Sequence, residues 1–142
     1  GFNVEYAAGP IYAGLGFEKI NDGFSDGRGV TNFALHYNLG FIKPMFYYAK
    51  AKAGAGGNDD NKVYLLSASA PLGNGLLKLG FSKMSFETGA ETSHKKIGLG
   101  YNYNLSKRTN LYADFGSATG RAANGTKGER STAYAFGLRH TF

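Results

Sequence analysis

The stretch STAYAFGLRHTF, from Ser131 to Phe142, decides the fold. Tyr134, Phe136, Leu138, His140 and Phe142 recur at every second residue, with Ala133, Ala135, Gly137, Arg139 and Thr141 between them. A helix would spread those aromatics around its circumference, so period two predicts a strand with one apolar face and one small or polar face. The stretch ends on an aromatic with no polar tail beyond it. A soluble sheet could bury one such face, and the rest of the chain weighs the choice.

Working outward, the same alternation predicts nine strands, over residues 2–8, 11–19, 30–38, 41–52, 62–70, 76–86, 95–104, 109–117 and 131–142. No segment sustains a helical period, and every break is rich in Gly, Asn, Asp or Ser. The breaks alternate in length. AAGP at 7–10, NLGF at 38–41, PLGNG at 71–75 and NLSKRT at 104–109 are short. NDGFSDGRG at 21–29, GAGGNDDN at 54–61, ETGAETSH at 87–94 and SATGRAANGTKGERS at 117–131 are longer and more polar. In an up-and-down meander, alternate connections lie at opposite ends. Tight turns at one end and longer loops at the other are the habit of a sheet crossing the outer membrane, with the turns on the periplasmic side. Strands near ten residues also fit a tilted crossing of the hydrocarbon layer.

The composition agrees. Gly 22, Tyr 10 and Phe 11 accompany only 18% charged residues, yet the mean hydropathy is still -0.30. An apolar exterior around a polar interior gives that average. No apolar run is long enough for a membrane helix. The absence of cysteine is compatible with an oxidising compartment. The net charge of +6 is scattered singly along strands and loops, without a basic helix or RNA-binding motif, so nucleic acid is not the expected partner.

The expected lipid-facing sets are Phe2, Val4 and Tyr6; Ile11, Ala13, Leu15 and Phe17; Phe33, Leu35 and Tyr37; Phe46 and Tyr48; Leu77, Leu79 and Phe81; Ile97, Leu99, Tyr101 and Tyr103; Leu111, Ala113 and Phe115; and Tyr134, Phe136 and Leu138. Tyr6, Tyr37 and Tyr103 sit beside short turns, where amphipathic rings suit the headgroup level. The opposite phase carries glycines, asparagines and charges. The pore-lining candidates are Lys43, Lys78, Lys96, Arg108, Tyr112, Asp114 and Arg139. Lys43, Lys78, Lys96, Arg108 and Arg139 outnumber Glu5, Glu18 and Asp114, and a positive wall concentrates anions. For Arg108 and Asp114 a local salt bridge competes with that reading.

Two segments leave the phase open. In NKVYLLSASAPL both phases are weakly apolar. In FSKMSFE, Lys83 follows Phe81 in the lipid-facing phase, so either a bulge turns Met84 and Phe86 outward or Lys83 reaches to the rim.

No catalytic, cofactor-binding or metal constellation is expected. His36, His94 and His140 have no metal-ligand spacing, and GAGG at 54–57 lacks the strand-to-helix context of a phosphate loop. Asp59 with Asp60, or Asp22 with Asp26, offers at most a divalent-cation site in an external loop.

YNYNLSKRTNLYADFG at 101–116 and YAFGLRHTF at 134–142 resemble the general porins of Gram-negative bacteria, in particular the beta-proteobacterial family. The first is similar to the penultimate hairpin of that family, with LSKRT as its periplasmic turn, and the second to its final strand. GPIYAGLGFE at 9–18 is compatible. The resemblance implies homotrimers of barrels of about sixteen strands, embedded in outer-membrane lipid and lipopolysaccharide. They pass ions and small hydrophilic solutes by passive diffusion, with no enzymatic activity. It also implies that Phe142 is the assembly signal read by the outer-membrane assembly machinery. Nine strands cannot close an even-numbered meander, and Gly1 enters a strand directly. The expectation is therefore an all-β transmembrane antiparallel up-and-down β-barrel, of which residues 1–142 form the C-terminal portion, with weak anion selectivity. The alternative is a small eight-stranded barrel, its interior plugged by side chains, serving as an anchor or adhesin.

Overall fold

An extended strand leaves its backbone donors and acceptors unsatisfied until a neighbour pairs with them. In the computed structural model nine strands meet that need in one antiparallel sheet, ordered as in the chain. They are β1 (Phe2–Ala8), β2 (Ile11–Ile20), β3 (Arg28–Tyr37), β4 (Lys43–Lys52), β5 (Asn61–Leu72), β6 (Gly75–Phe86), β7 (Glu91–Asn104), β8 (Thr109–Ala122) and β9 (Lys127–His140). The structure describes residues 1–20, 27–52, 60–86 and 91–142.

Among the described residues no hydrophobic side chain is buried, while Tyr134, Phe136 and Leu138 are 76%, 87% and 60% exposed. The sheet therefore has no interior of its own. Whatever covers its apolar face comes from outside the chain. No helix among the described residues is long and apolar enough to cross a membrane.

Directly paired residues of antiparallel strands share a face, so the register shows how the faces continue. One row runs Val4, Leu15, Phe33, Tyr48, Tyr64. A second runs Leu66, Phe81, Ile97, and a third Leu79, Leu99, Phe115, Tyr134. The outward face is continuous from β1 to β9. The register also fixes the phase that NKVYLLSASAPL leaves open. Leu66 lies opposite Phe46 and Phe81, which puts Tyr64, Leu66 and Ala68 outward and Val63, Leu65 and Ser67 inward. No bulge occurs at Lys83, which pairs with Tyr64 and Lys95, so Met84 and Phe86 keep the inward phase.

The tight turns fall at one end. Gly9 (φ 56) and Gly73 (φ 57) each open a two-residue hairpin loop, the position where a type II′ turn requires positive φ. At the β3–β4 turn the Asn38 side chain accepts a hydrogen bond from the Gly40 amide at 3.0 Å. The Tyr101 hydroxyl donates to the Leu72 carbonyl at 2.7 Å, tying β7 to the β5–β6 turn.

The opposite end departs from the expectation of long loops. SATGRAANGTKGERS is mostly strand: β8 continues to Ala122, β9 begins at Lys127, and only residues 123–126 turn. There the Ala122 amide donates to the Thr126 carbonyl at 2.9 Å, and Gly125 takes φ 82. Likewise ETGAETSH contributes residues 91–94 to β7. Backbone pairing does not require apolar side chains, so a hairpin that rises past the apolar band continues as a ladder of polar residues. The residues between strands at this end remain the more numerous, at 21–27 and 53–60. At the C-terminus the strand stops at His140, and Phe142 is fully exposed with its ring edge-on to His140 at 5.0 Å.

Candidate pore wall

The inward face is built from the residues between the lipid-facing ones, and the register sorts them into rows. One row reads Lys43, Ser69, Lys78, Gly100, Asp114, Ala135 across β4 to β9. Lys78 and Asp114 flank Gly100 and bridge over it, with Nζ to Oδ1 at 3.8 Å. Gly100 permits this. A Cβ there would overlap the Asp114 carboxylate and lie 3.2 Å from Lys78 Cε. Both partners are nearly half exposed, so the pair contributes about 0–1 kcal/mol, and its main effect is to hold two opposite charges side by side on the wall.

The next row toward the long-connection end is Met45, Ser67, Gly80, Gly98, Gly116, Ala133. From Ser67 to Ala133 nothing larger than serine projects inward. Lys96 stands one further row on, between Ser82 and Ala118, about 13 Å along β7 from Gly100 at strand rise. On the other side of the ion-pair row, Tyr112 lies between Asn102 and Gly137. Its hydroxyl would sit 2.7 Å from a Cβ on Gly137, so the ring lies flat over that glycine. On β2 and β3, Tyr12 stacks on His36 at 5.0 Å.

The candidates are therefore not one cluster. Lys43, Lys78 and Asp114 share a row, and Lys96 stands apart from them. Arg139 pairs with Asn110 at the tight-turn end of β9. Arg108 lies outside the strands, in the 105–108 turn, where its carbonyl accepts from the Thr141 amide at 2.9 Å. The inward phase also takes in Arg28 at the start of β3, opposite Ile20, and Glu129 beside outward Arg130. Sequence reasoning passed over both because they lay in predicted loops. The balance is regional: Glu5 and Glu18 lie on β1 and β2, whereas Lys43, Lys78, Lys96 and Arg139 lie on β4 to β9 against Asp114 and Glu129.

Of the cation-site candidates, Asp22, Asp26 and Asp59 lie outside the described residues, and Asp60 contacts Lys50 at 3.4 Å. No group of three or more potential metal ligands occurs among the described residues.

A sheet with an unbroken apolar exterior, tight turns at one end and a glycine-lined charged inner face matches a known family. The sequence model of the Gram-negative porins matches residues 1–140. The chain belongs to the Gram-negative porin family. It is 32% identical to outer membrane porin protein 32 of Delftia acidovorans over 98% of this chain and 45% of that protein. It is 40% identical to an outer membrane porin protein of Bordetella pertussis over 56% of this chain and 20% of that one. Among solved structures it is similar to an anion-selective porin from Comamonas acidovorans, with TM-score 0.78, 30% identity, and coverage of 99% of this chain and 48% of that one. The chain spans about half the length, or less, of these relatives. As a Gram-negative porin sequence it is an outer-membrane chain, so the tight-turn end is periplasmic and the 123–126 end external.

Proposed function

We propose that this chain forms the C-terminal portion of the wall of a water-filled outer-membrane channel for passive diffusion of ions and small hydrophilic solutes, weakly selective for anions. The observation that carries it is the inward face of β4 to β9. That face is a glycine and serine strip flanked by Lys43, Lys78 and Lys96, too small to fill a barrel interior and too charged for a dry one. A plugged eight-stranded anchor would need bulky or fully paired residues along that strip.

In this reading the free edges of β1 and β9 join about seven further strands in a barrel of about sixteen, wide enough for an aqueous lumen. Open edges cannot stand in hydrocarbon, which supports the same conclusion. The barrel assembles as a homotrimer, Phe142 serves as the signal for the outer-membrane assembly machinery, and the exterior meets lipid and lipopolysaccharide. The channel performs no chemistry. Passage depends on the width of the lumen and the charge on its wall. The similarity to an anion-selective porin supports the anion preference.

The test is single-channel recording of the full-length protein in a KCl gradient. The reversal potential should lie on the anion-selective side. Replacing Lys78 and Lys96 by Glu should move it toward cations, more at about 0.1 M than at 1 M salt. Selectivity indifferent to both changes would remove these lysines from the conducting path.

A further inference from the structure

The outward face carries a second, unexplained set of charges. On five strands a lysine sits two residues toward the external end from an outward apolar or aromatic residue: Phe17 then Lys19, Tyr48 then Lys50, Tyr64 then Lys62, Phe81 then Lys83, Ile97 then Lys95. The register sets them against each other. Lys50 lies directly opposite Lys62, Lys83 opposite Lys95, and Arg121 opposite Lys127. Like charges directly across a ladder are destabilising. One of these pairs has a nearby acid, Asp60 at 3.4 Å from Lys50. Lys83 and Lys95 have no ion-pair partner among the described residues.

Snorkelling to water does not account for the pattern. Lysines reaching for an aqueous boundary would serve either rim, yet at the periplasmic end the outward phase holds Ala8, Ile11, Tyr37, Leu72, Tyr103 and Leu111, with no Lys or Arg. The cations belong to one leaflet.

The cations also border a shaped surface. Toward the external end of β6 to β9 a groove of about 350 Å³ has Lys95, Arg121, Lys127 and Arg130 along it and Phe81 and Ile97 at its base. Those two rings and chains also line an apolar groove of about 590 Å³ that continues toward the membrane centre past Leu79, Leu99 and Phe115. A cationic mouth thus leads directly into an apolar channel on the lipid side of the sheet.

We propose that the external end of β6 to β9 is a binding site for a phosphorylated glycolipid of the outer leaflet, its phosphate held by Lys83, Lys95 and Arg130 and one acyl chain lying along Ile97, Phe81 and Leu99. Charge complementarity selects a phosphate-bearing headgroup, and the continuous apolar groove selects a lipid over free phosphate. The site rests on the outer-membrane orientation adopted above, but not on the wall charges that set selectivity.

The experiment uses the full-length protein in detergent, titrated with lipid A and followed by native mass spectrometry, beside a Lys83→Gln/Lys95→Gln double variant. Binding should weaken by about fivefold per lysine removed, the ratio that corresponds to about 1 kcal/mol for a lysine at an anionic lipid surface. The Lys83→Arg/Lys95→Arg variant should retain lipid A, as should Lys107→Gln in the periplasmic turn. Dephosphorylated lipid A should bind the wild type as weakly as lipid A binds the double variant, and inorganic phosphate should not compete at millimolar concentration. Equal lipid A binding by wild type and double variant would overturn the site, as would tight binding of the dephosphorylated lipid or displacement by free phosphate. Conductance recorded on the same preparations separates the two readings. Loss of lipid A binding with intact anion selectivity supports the site alone, whereas retained binding with absent conductance leaves the site standing and sinks the channel.

Discussion

Asp114→Asn isolates one charge on the proposed wall without changing its shape. In the wild type the Asp114 carboxylate stands 3.8 Å from Lys78 Nζ, over Gly100, so the row from Lys43 to Ala135 carries one surplus positive charge. Removing the carboxylate leaves two. For a chloride passing about 5 Å from the freed ammonium in water, Coulomb's law gives about 0.8 kcal/mol of added attraction, or roughly fourfold local enrichment. The Debye length falls from about 10 Å at 0.1 M to about 3 Å at 1 M, so most of this gain should vanish at high salt. Folding should change by less than about 1 kcal/mol, because both partners are close to half exposed. The assay is the reversal potential of the full-length protein in KCl gradients centred on each of those two concentrations. A shift further toward anions at low salt, nearly absent at high salt, is expected, and the double variant Lys78→Gln/Asp114→Asn should return close to wild type. A null result at low salt, or movement toward cations, would refute the placement of this pair in the conducting path.

Three further outcomes follow from the two faces. Leu99→Lys should cost about 2–4 kcal/mol in reversible unfolding from lipid if position 99 lies near the membrane midplane, and less if it lies nearer a rim. Deleting Phe142, which lies beyond the last ladder pair, should deplete the protein from the outer membrane and abolish heat-modifiable migration while leaving translation unaffected. Gly137→Leu should lift the Tyr112 ring from the strand and destabilise by about 1–3 kcal/mol through overpacking, an effect that Tyr112→Ala in the same chain should largely relieve.

Much of this architecture is written in period two. β1 and β2 begin at Phe2 and Ile11, as the alternation of FNVEYAA and IYAGLGFE requires, and all nine strands are present. What escaped the sequence has physical causes. Ser117 to Ala122 and Lys127 to Arg130 read as loop because they are polar, yet a ladder outside hydrocarbon tolerates polar residues on both faces. The phase of β5 could not be read from Val63, Tyr64, Leu65 and Leu66, since all four are apolar or aromatic; only pairing with Phe46 and Phe81 decides it. Lys83 looked like an irregularity on one strand. Beside Lys95 and Arg130 it becomes part of a belt that no single strand reveals. The wall was legible as a phase but not as rows: Lys78 and Asp114 are 36 residues apart, and Gly100, which lets them meet, has no signal of its own.

The central claim, that one face of the sheet meets water in a channel and the other meets lipid, has a direct test. The chain contains no cysteine, so single cysteines can be placed at Ala133 and at Phe136, which lie on opposite faces of β9. A charged, membrane-impermeant thiosulfonate should modify the cysteine at position 133 in an open bilayer channel and reduce its conductance. The cysteine at position 136 should remain unmodified, with the current unchanged. Reaction at 136 and protection at 133 would contradict the assignment of the two faces.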